Sequence, residues 1–261
     1  MRELFEDIAG HSPLDPHESA RQSARAPQRK RFYKTAAFTE TADGFAITLD
    51  DKPVRTPTRE PLVVPSRQLA EAIAAEWEAQ IDVIDPGTMP LTRLANSVIS
   101  AVVNRVEAVA DDVAKYFESD LLCYRAAHPG ALVAREAAHW DPVLFWAADT
   151  FGAHFILAEG IMHVRQPEQA VAAARTALPS DPWRVAALHV ATSVTGSALL
   201  ALALMQGARD VDQVWAAANV DNNWNAEQWG EDAEVTARLA ARLQDLRAAA
   251  QVLAALAPPQ R

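Results

Sequence analysis

Residues able to do chemistry gather late in the chain. Glu227, Glu231 and Glu234 are spaced i, i+4 and i+7, so one helix running through Gly230 would put all three carboxylates on one face. Such a trio can hold a hard cation or perform acid/base work. Within Trp224–Glu234 there is no histidine, lysine, arginine or hydroxyl, which leaves catalysis without a second role. Trp224 and Trp229, two of the 7 tryptophans, flank Glu227 and Gln228, and Asp232 adds a fourth carboxylate. Large aromatics beside unneutralised acids suit a surface that docks a basic protein partner, because the ring supplies buried area and the acids supply orientation. The same residues also fit two core tryptophans with acids on the solvated start of a helix. Residue types alone leave both readings open.

Elsewhere the chemistry is sparse. None of the 7 histidines forms His-Glu-x-x-His, and no histidine pairs with the single Cys123 at zinc-site spacing, so no metal site is expected. An enzyme, hydrolytic or metal-dependent, would have to be built from His139, Asp141 and the acidic stretch. With 9 glycines, no two of them close together, there is neither a P-loop nor a dinucleotide fingerprint, and no cofactor is expected. Cys123 has apolar and aromatic neighbours and reads as a packed thiol. Asp120 and Arg125, five apart, read as a surface pair. A net charge of -10 argues against a nucleic-acid partner, which would require a basic stripe.

Three kinds of segment must position these residues. Residues 1–30 read as a mobile tail, acidic at its start (Glu3, Glu6, Asp7) and basic from Arg21 onward. Residues 31–89 read as a small α+β domain. Phe32–Thr35 and Phe45–Leu49 carry strand-type residues about the turn signal Asp43-Gly44, further turns follow at Asp50–Pro53 and Pro57–Pro61, and Leu62–Val64 is a short strand. Ser66 is a helix N-cap, and Leu69, Ile73 and Trp77 share a face that must cover the sheet. Trp77 is therefore a packing residue, where an arginine would leave a charge in the core. Pro86-Gly87 and Pro90 mark a linker.

Residues 90–261 read as a larger all-α helical bundle, so the fold class is α+β: an antiparallel meander with a packed helix, then the bundle. Pro142 predicts a break in the helix around it. The span Arg184–Arg209 lacks charged residues between its ends, but His189, its Ser/Thr residues and Gln206 make it a buried core helix broken near Gly196 rather than a membrane span. Ile156–Val164 is ambiguous in pattern and compatible with an extended segment.

Five segments, in order, carry a resemblance. Ala75-Glu76-Trp77-Glu78-Ala79-Gln80, Met89-Pro90-Leu91-Thr92-Arg93-Leu94-Ala95-Asn96, Asp120-Leu121-Leu122-Cys123-Tyr124-Arg125, Trp140-Asp141-Pro142 and Gln228-Trp229-Gly230-Glu231 resemble the assembly chaperones of the F-type ATP synthase catalytic head. The family resembled is the alphaproteobacterial and mitochondrial one that escorts the free alpha subunit. The resemblance covers residues 32 to about 245 and implies a chaperone without catalysis or cofactor. It would cover the alpha-subunit surface that later meets the beta subunit. It also implies that the acids after Trp229-Gly230 (Glu231, Asp232, Glu234) include a partner-sensitive one, and it turns the reading of Trp224–Glu234 towards partner binding. Alanine richness and the lack of a clear presequence point to a bacterial cytoplasm over a mitochondrial matrix. A structural subunit held permanently in a complex is the further alternative.

Overall fold

A computed structural model of the chain describes residues 29–160 and 162–257. The mobile tail expected over residues 1–30 lies outside the described residues, save Arg29 and Lys30. The fold is α+β, and contacts divide it into two compact units, residues up to Val109 and residues from Ala110. That division lies beyond the Pro86–Pro90 segment where composition suggested a linker.

In the first unit, strands β2 (Ala36–Thr41) and β3 (Gly44–Leu49) pair antiparallel along their whole length, from Ala36 opposite Leu49 to Thr41 opposite Gly44. The other edge of β3 is shared by β4 (Lys52–Pro53) and β5 (Val63–Val64). Asp50 and Asp51, with φ of 46° and 62°, make the left-handed two-residue turn between β3 and β4 that matches strand twist. The strand expected over Phe32–Thr35 is absent. There the Lys34 and Thr35 N–H groups donate to the Asp50 carboxylate rather than to a neighbouring strand. Just before them, β1 (Arg29–Lys30) pairs with β6 (Val83–Ile84).

Helix α1 (Arg67–Glu78) starts where the sequence placed it: the Ser66 hydroxyl accepts from the Leu69 N–H at 3.2 Å. Its buried face, Leu69, Ala70, Ile73 and Ala74, lies on β2 and β3. The Glu76–Gln80 segment then ties the unit together. The Glu76 carboxylate reaches the start of α2 (Pro90–Ser100), accepting from the Leu91 and Thr92 N–H groups at 2.7 and 2.8 Å. Those two donors belong to the first turn of a helix, where no backbone acceptor exists for them. Burial raises the pKa of Glu76 despite these bonds. Glu78 accepts from Arg31 and from the Ala36 N–H, and Gln80 accepts from the Asp85 N–H at 2.7 Å. Trp77 packs, half-buried, on the cluster Tyr33, Leu49, Ile84 and Met89, and its carbonyl accepts the Tyr33 hydroxyl at 2.6 Å.

After α2 the backbone tightens over Val102–Asn104 before α3 (Val106–Lys115), so Val98, Val102 and Val106, though spaced by four, do not share one helix. The second unit is built around α6 (Pro182–Thr195) and α7 (Ala198–Met205), joined at Gly196. Asp181 caps α6 with Pro182 in its first turn, and Gly196 at φ 73° ends it at the break expected near that glycine. In α6 every residue from Val185 to Thr192 is buried, and α7 is buried from Ala198 to Ala203. Neighbours enclose both: α7 is apolar on all sides, and α6 buries His189, Thr192 and Thr195 among its apolar residues. α10 (Ala233–Ala255) lies along α6, while α4 (Gly130–Phe151) and α8 (Val211–Ala218) pack on α7.

The break expected at Pro142 does not occur: α4 runs unbroken through it. Bonds made by the two residues just before the proline hold the helix. Trp140 is buried and donates from Nε1 to the Ala217 carbonyl at 2.8 Å, and Asp141 pairs with Arg125 at 2.7 Å. The ambiguous stretch after α4 holds β8 (Ala158–Glu159), paired in parallel with β7 (Tyr124–Arg125). α5 (Glu168–Arg175) follows it. No helix among the described residues is long and apolar enough to cross a membrane.

Candidate functional site

The stretch Trp224–Glu234 folds as a helix end, a sharp link and a new helix start. α9 (Val220–Trp229) stops at Gly230, whose N–H bonds back to the Ala226 carbonyl and whose φ of 89° and ψ of 166° a side chain would not tolerate. Two residues later Asp232 caps α10, its carboxylate accepting from the Glu234 and Val235 N–H groups at 2.8 and 3.0 Å. The helix therefore does not run through Gly230, and Glu227, Glu231 and Glu234 do not form the i, i+4, i+7 face that a cation trio requires. Among the described residues no group of three or more His, Cys, Asp or Glu could hold a metal ion.

The acids of this apex also divide by partner. Glu227 is not unneutralised: Arg135, on α4, grips both its oxygens at 2.7 and 2.9 Å. The same guanidinium sits 5.3 Å from the centre of the Trp224 ring. That pairing lowers the pKa of Glu227 and raises that of Arg135. Trp224 is half-buried and Glu227 is tied down, so this end of α9 is fastened to α4. At the base of α9, Asp221 faces Glu136, which is buried and accepts from the Ala126 N–H at 2.9 Å; burial first, then Asp221, pushes the Glu136 carboxyl up. Gln228, Trp229, Glu231, Asp232 and Glu234 are all exposed. Trp229 is 85% exposed, against 1% for Trp140, so it is the large apolar surface of the apex and contributes nothing to the core. Sequence reasoning missed Arg135, which lies 92 positions from its partner Glu227.

The other candidates separate. His139 is exposed, and its neighbour Asp141 is engaged by Arg125, so the two do not form a site. Asp120 is not a surface residue paired with Arg125. It is fully buried beneath the α6–α7 link, accepting from the Leu122 and Leu199 N–H groups at 3.1 Å each. Burial raises its carboxyl to about 6 even against these bonds. Cys123 is buried and its thiol is pushed up to about 12 by burial and by Asp120, which makes it an unreactive packed group.

An α+β chain with a fastened helix end and an exposed tryptophan beside free acids has the character of a protein-docking molecule. The model of the ATP12 chaperone protein family matches residues 30–148. The Atu1473 protein of Agrobacterium tumefaciens is 44% identical, with a TM-score of 0.84 over 98% of this chain and 100% of that one. Atp12 from Paracoccus denitrificans is 38% identical with a TM-score of 0.80, covering 87% of this chain and 98% of that one. An aspartate-to-lysine mutant of the P. denitrificans protein matches at 38% identity with a TM-score of 0.79, over 87% and 97%. The class is that of assembly chaperones. The chain belongs to the ATP12 chaperone family, which serves the assembly of ATP synthase.

Proposed function

We propose that this chain escorts the free alpha subunit of the ATP synthase catalytic head, covers the surface that later meets the beta subunit, and releases it on assembly. An obligate interface exposed before assembly is a large apolar patch prone to aggregation, and a transient cover answers that hazard. The observation that carries the reading is Trp229, 85% exposed at the tip of α9 and flanked by Glu231 and Glu234, whose side chains have no partner shown. A bare indole ringed by acids fits an apolar hollow bordered by Lys or Arg on the partner. Gln228 and Asp232 border the same contact, Asp232 holding the start of α10 at the correct angle. Trp224 and Glu227 serve from behind, anchored by Arg135 so that the tip is presented rigidly. The role requires no catalytic group, and the bacterial relatives support action in the cytoplasm.

Co-expression of the alpha subunit with and without this chain tests the proposal. Soluble alpha subunit that co-elutes with the chain is the expected result. Alpha subunit that stays insoluble while the beta subunit, or neither, responds would remove the partner assignment. Presence of the chain in mature ATP synthase would favour a permanent structural subunit instead.

A further inference from the structure

The first unit carries a groove of about 810 Å³ that the apex reading does not use. Binding pockets of about 300–1,000 Å³ join an apolar floor to a few convergent polar groups. Here the floor is the cluster Tyr33, Leu49, Ile84 and Met89, with Trp77 packed on it. Phe32 also lines the groove, 69% exposed, its ring edge-to-face with Tyr33 at 5.4 Å. An exposed aromatic beside an apolar floor offers contact area to another chain.

The polar groups of the lining divide into spent and unspent. Arg55 donates to the Arg59 carbonyl, and Arg93 is turned to the Pro86 and Gly87 carbonyls. Thr92 gives its N–H and its hydroxyl to Glu76. Asp50, the one acid of the lining, accepts from the Thr35 and Lys34 N–H groups, which hold its carboxyl below the usual range. Arg29 and Lys52, both exposed, and the half-buried Asn96 have no partner shown.

That remainder has the chemistry of a site for an acidic peptide. A carboxamide donates and accepts at once, so Asn96 can bond a peptide unit of the ligand. Carboxylates answer Arg29 and Lys52 with charge-assisted bonds, while a large apolar side chain fills the floor. A basic segment would instead bring its charge against two cations, and the single acid is already bonded. We propose that the groove binds a short segment of another protein in which large apolar side chains alternate with carboxylates. Its polarity is opposite to that of the apex, where acids surround Trp229, and it does not depend on which partner the apex binds.

The test titrates two capped peptides into full-length chain labelled at its Ile, Leu and Met methyls. One is Gly-Glu-Phe-Asp-Leu-Glu-Gly, and the other carries lysine in place of each acid. The expected result is shifts concentrated on Leu49, Ile84 and Met89 with the acidic peptide. Its affinity should exceed that of the lysine peptide about tenfold, as two exposed ion pairs allow. The double variant Arg29→Glu, Lys52→Glu should reverse that preference at an unchanged melting midpoint, since both side chains are exposed. Absence of shifts at millimolar acidic peptide overturns the proposal. Equal affinity for the two peptides, or a preference that the double variant leaves in place, overturns the acidic occupant. Shifts centred beyond Ala110 overturn the placement. Groove shifts that grow with chain concentration before any peptide is added show a second copy in the groove and overturn occupancy by another protein.

Discussion

Two helix breaks in the second unit use the same devices and end in opposite conditions. At Gly196 and at Gly230 a glycine of positive φ stops one helix, and a short side chain, Ser197 or Asp232, caps the next. The first break is buried. Leu121 donates to the Gly196 carbonyl, Asp120 takes the Leu199 and Leu122 N–H groups, and Ser197 caps Leu200, so the backbone groups at the turn are met by named partners. The second break faces solvent, with Trp229, Glu231 and Glu234 around it. A buried break must satisfy every polar group at once because each failure costs free energy in a low-dielectric interior. An exposed break has no such obligation, and its side chains remain available to another molecule.

The largest expected effect follows from that obligation. Asp120→Leu strands the Leu122 and Leu199 N–H groups in the core, at roughly 1–3 kcal/mol each. A loss of about 3–5 kcal/mol in chemical denaturation is expected, with the helical signal of the second unit lost first. If this variant melts like the parent, the buried break is not the anchor described here.

The next effect is a dependence on pH. The Asp120 carboxyl is raised from 3.8 to about 6 by burial, so the folded chain binds this proton more tightly than the unfolded chain does. Its contribution is therefore fully present below about pH 4, declines as pH rises towards 6, and is level above that, a span of about 3 kcal/mol. Glu136, raised by burial and by Asp221, acts in the same direction. Asp112 is lowered by its bonds to Lys115 and His189 and acts in the opposite one. The difference between the parent and Asp120→Asn isolates the first group: denaturation at pH 4, 5, 6 and 7 should show the parent losing stability relative to the variant over that interval.

Substituting the glycines compares the breaks directly. An added Cβ meets Leu121 at 4.0 Å at Gly196 and nothing within 4 Å at Gly230, so backbone strain alone decides both. Gly196→Ala should cost about 1 kcal/mol of global stability, since the buried turn cannot move. At Gly230 the strain is larger in principle, but the exposed link can shift to relieve it. Gly230→Ala should leave the midpoint nearly unchanged while altering hydrogen exchange at the start of α10. A lower midpoint for Gly230→Ala than for Gly196→Ala would reverse the assignment of which break is rigid.

Much of this contrast was legible in the chain. Ser66 and the Gly196 break follow from local rules of caps and left-handed glycines, which need no tertiary information. The α1 face on the sheet follows from periodicity. What stayed hidden depended on partners far away in sequence. Pro142 looked like a breaker because its local cost is visible and the Trp140–Ala217 bond that offsets it is not. Glu227 looked free because Arg135 lies on another helix. Asp120 looked like a surface acid because charge seldom tolerates burial, and only the folded chain brings the start of α7 onto it. At the apex, the i, i+4, i+7 pattern was real in the sequence and void in the structure, because one glycine conformation reorients everything after it.

The smallest stability effect carries the most functional weight. Glu231→Lys and Glu234→Lys alter exposed residues with no partner shown, so the melting midpoint should hold to within about 0.5 kcal/mol. Asp232→Lys differs from both, because it removes the cap of α10 at a cost of about 1 kcal/mol. If the apex presents its acids to a basic rim on the alpha subunit, the first two variants reduce co-purification of that subunit without any change in fold. Trp229→Ala should do the same by removing the apolar anchor. The decisive pattern is loss of capture at unchanged stability for Glu231 and Glu234, against loss of both for Asp232. Full capture by the two glutamate variants together would detach the acids from the partner and leave Trp229 as the apex residue still to be explained.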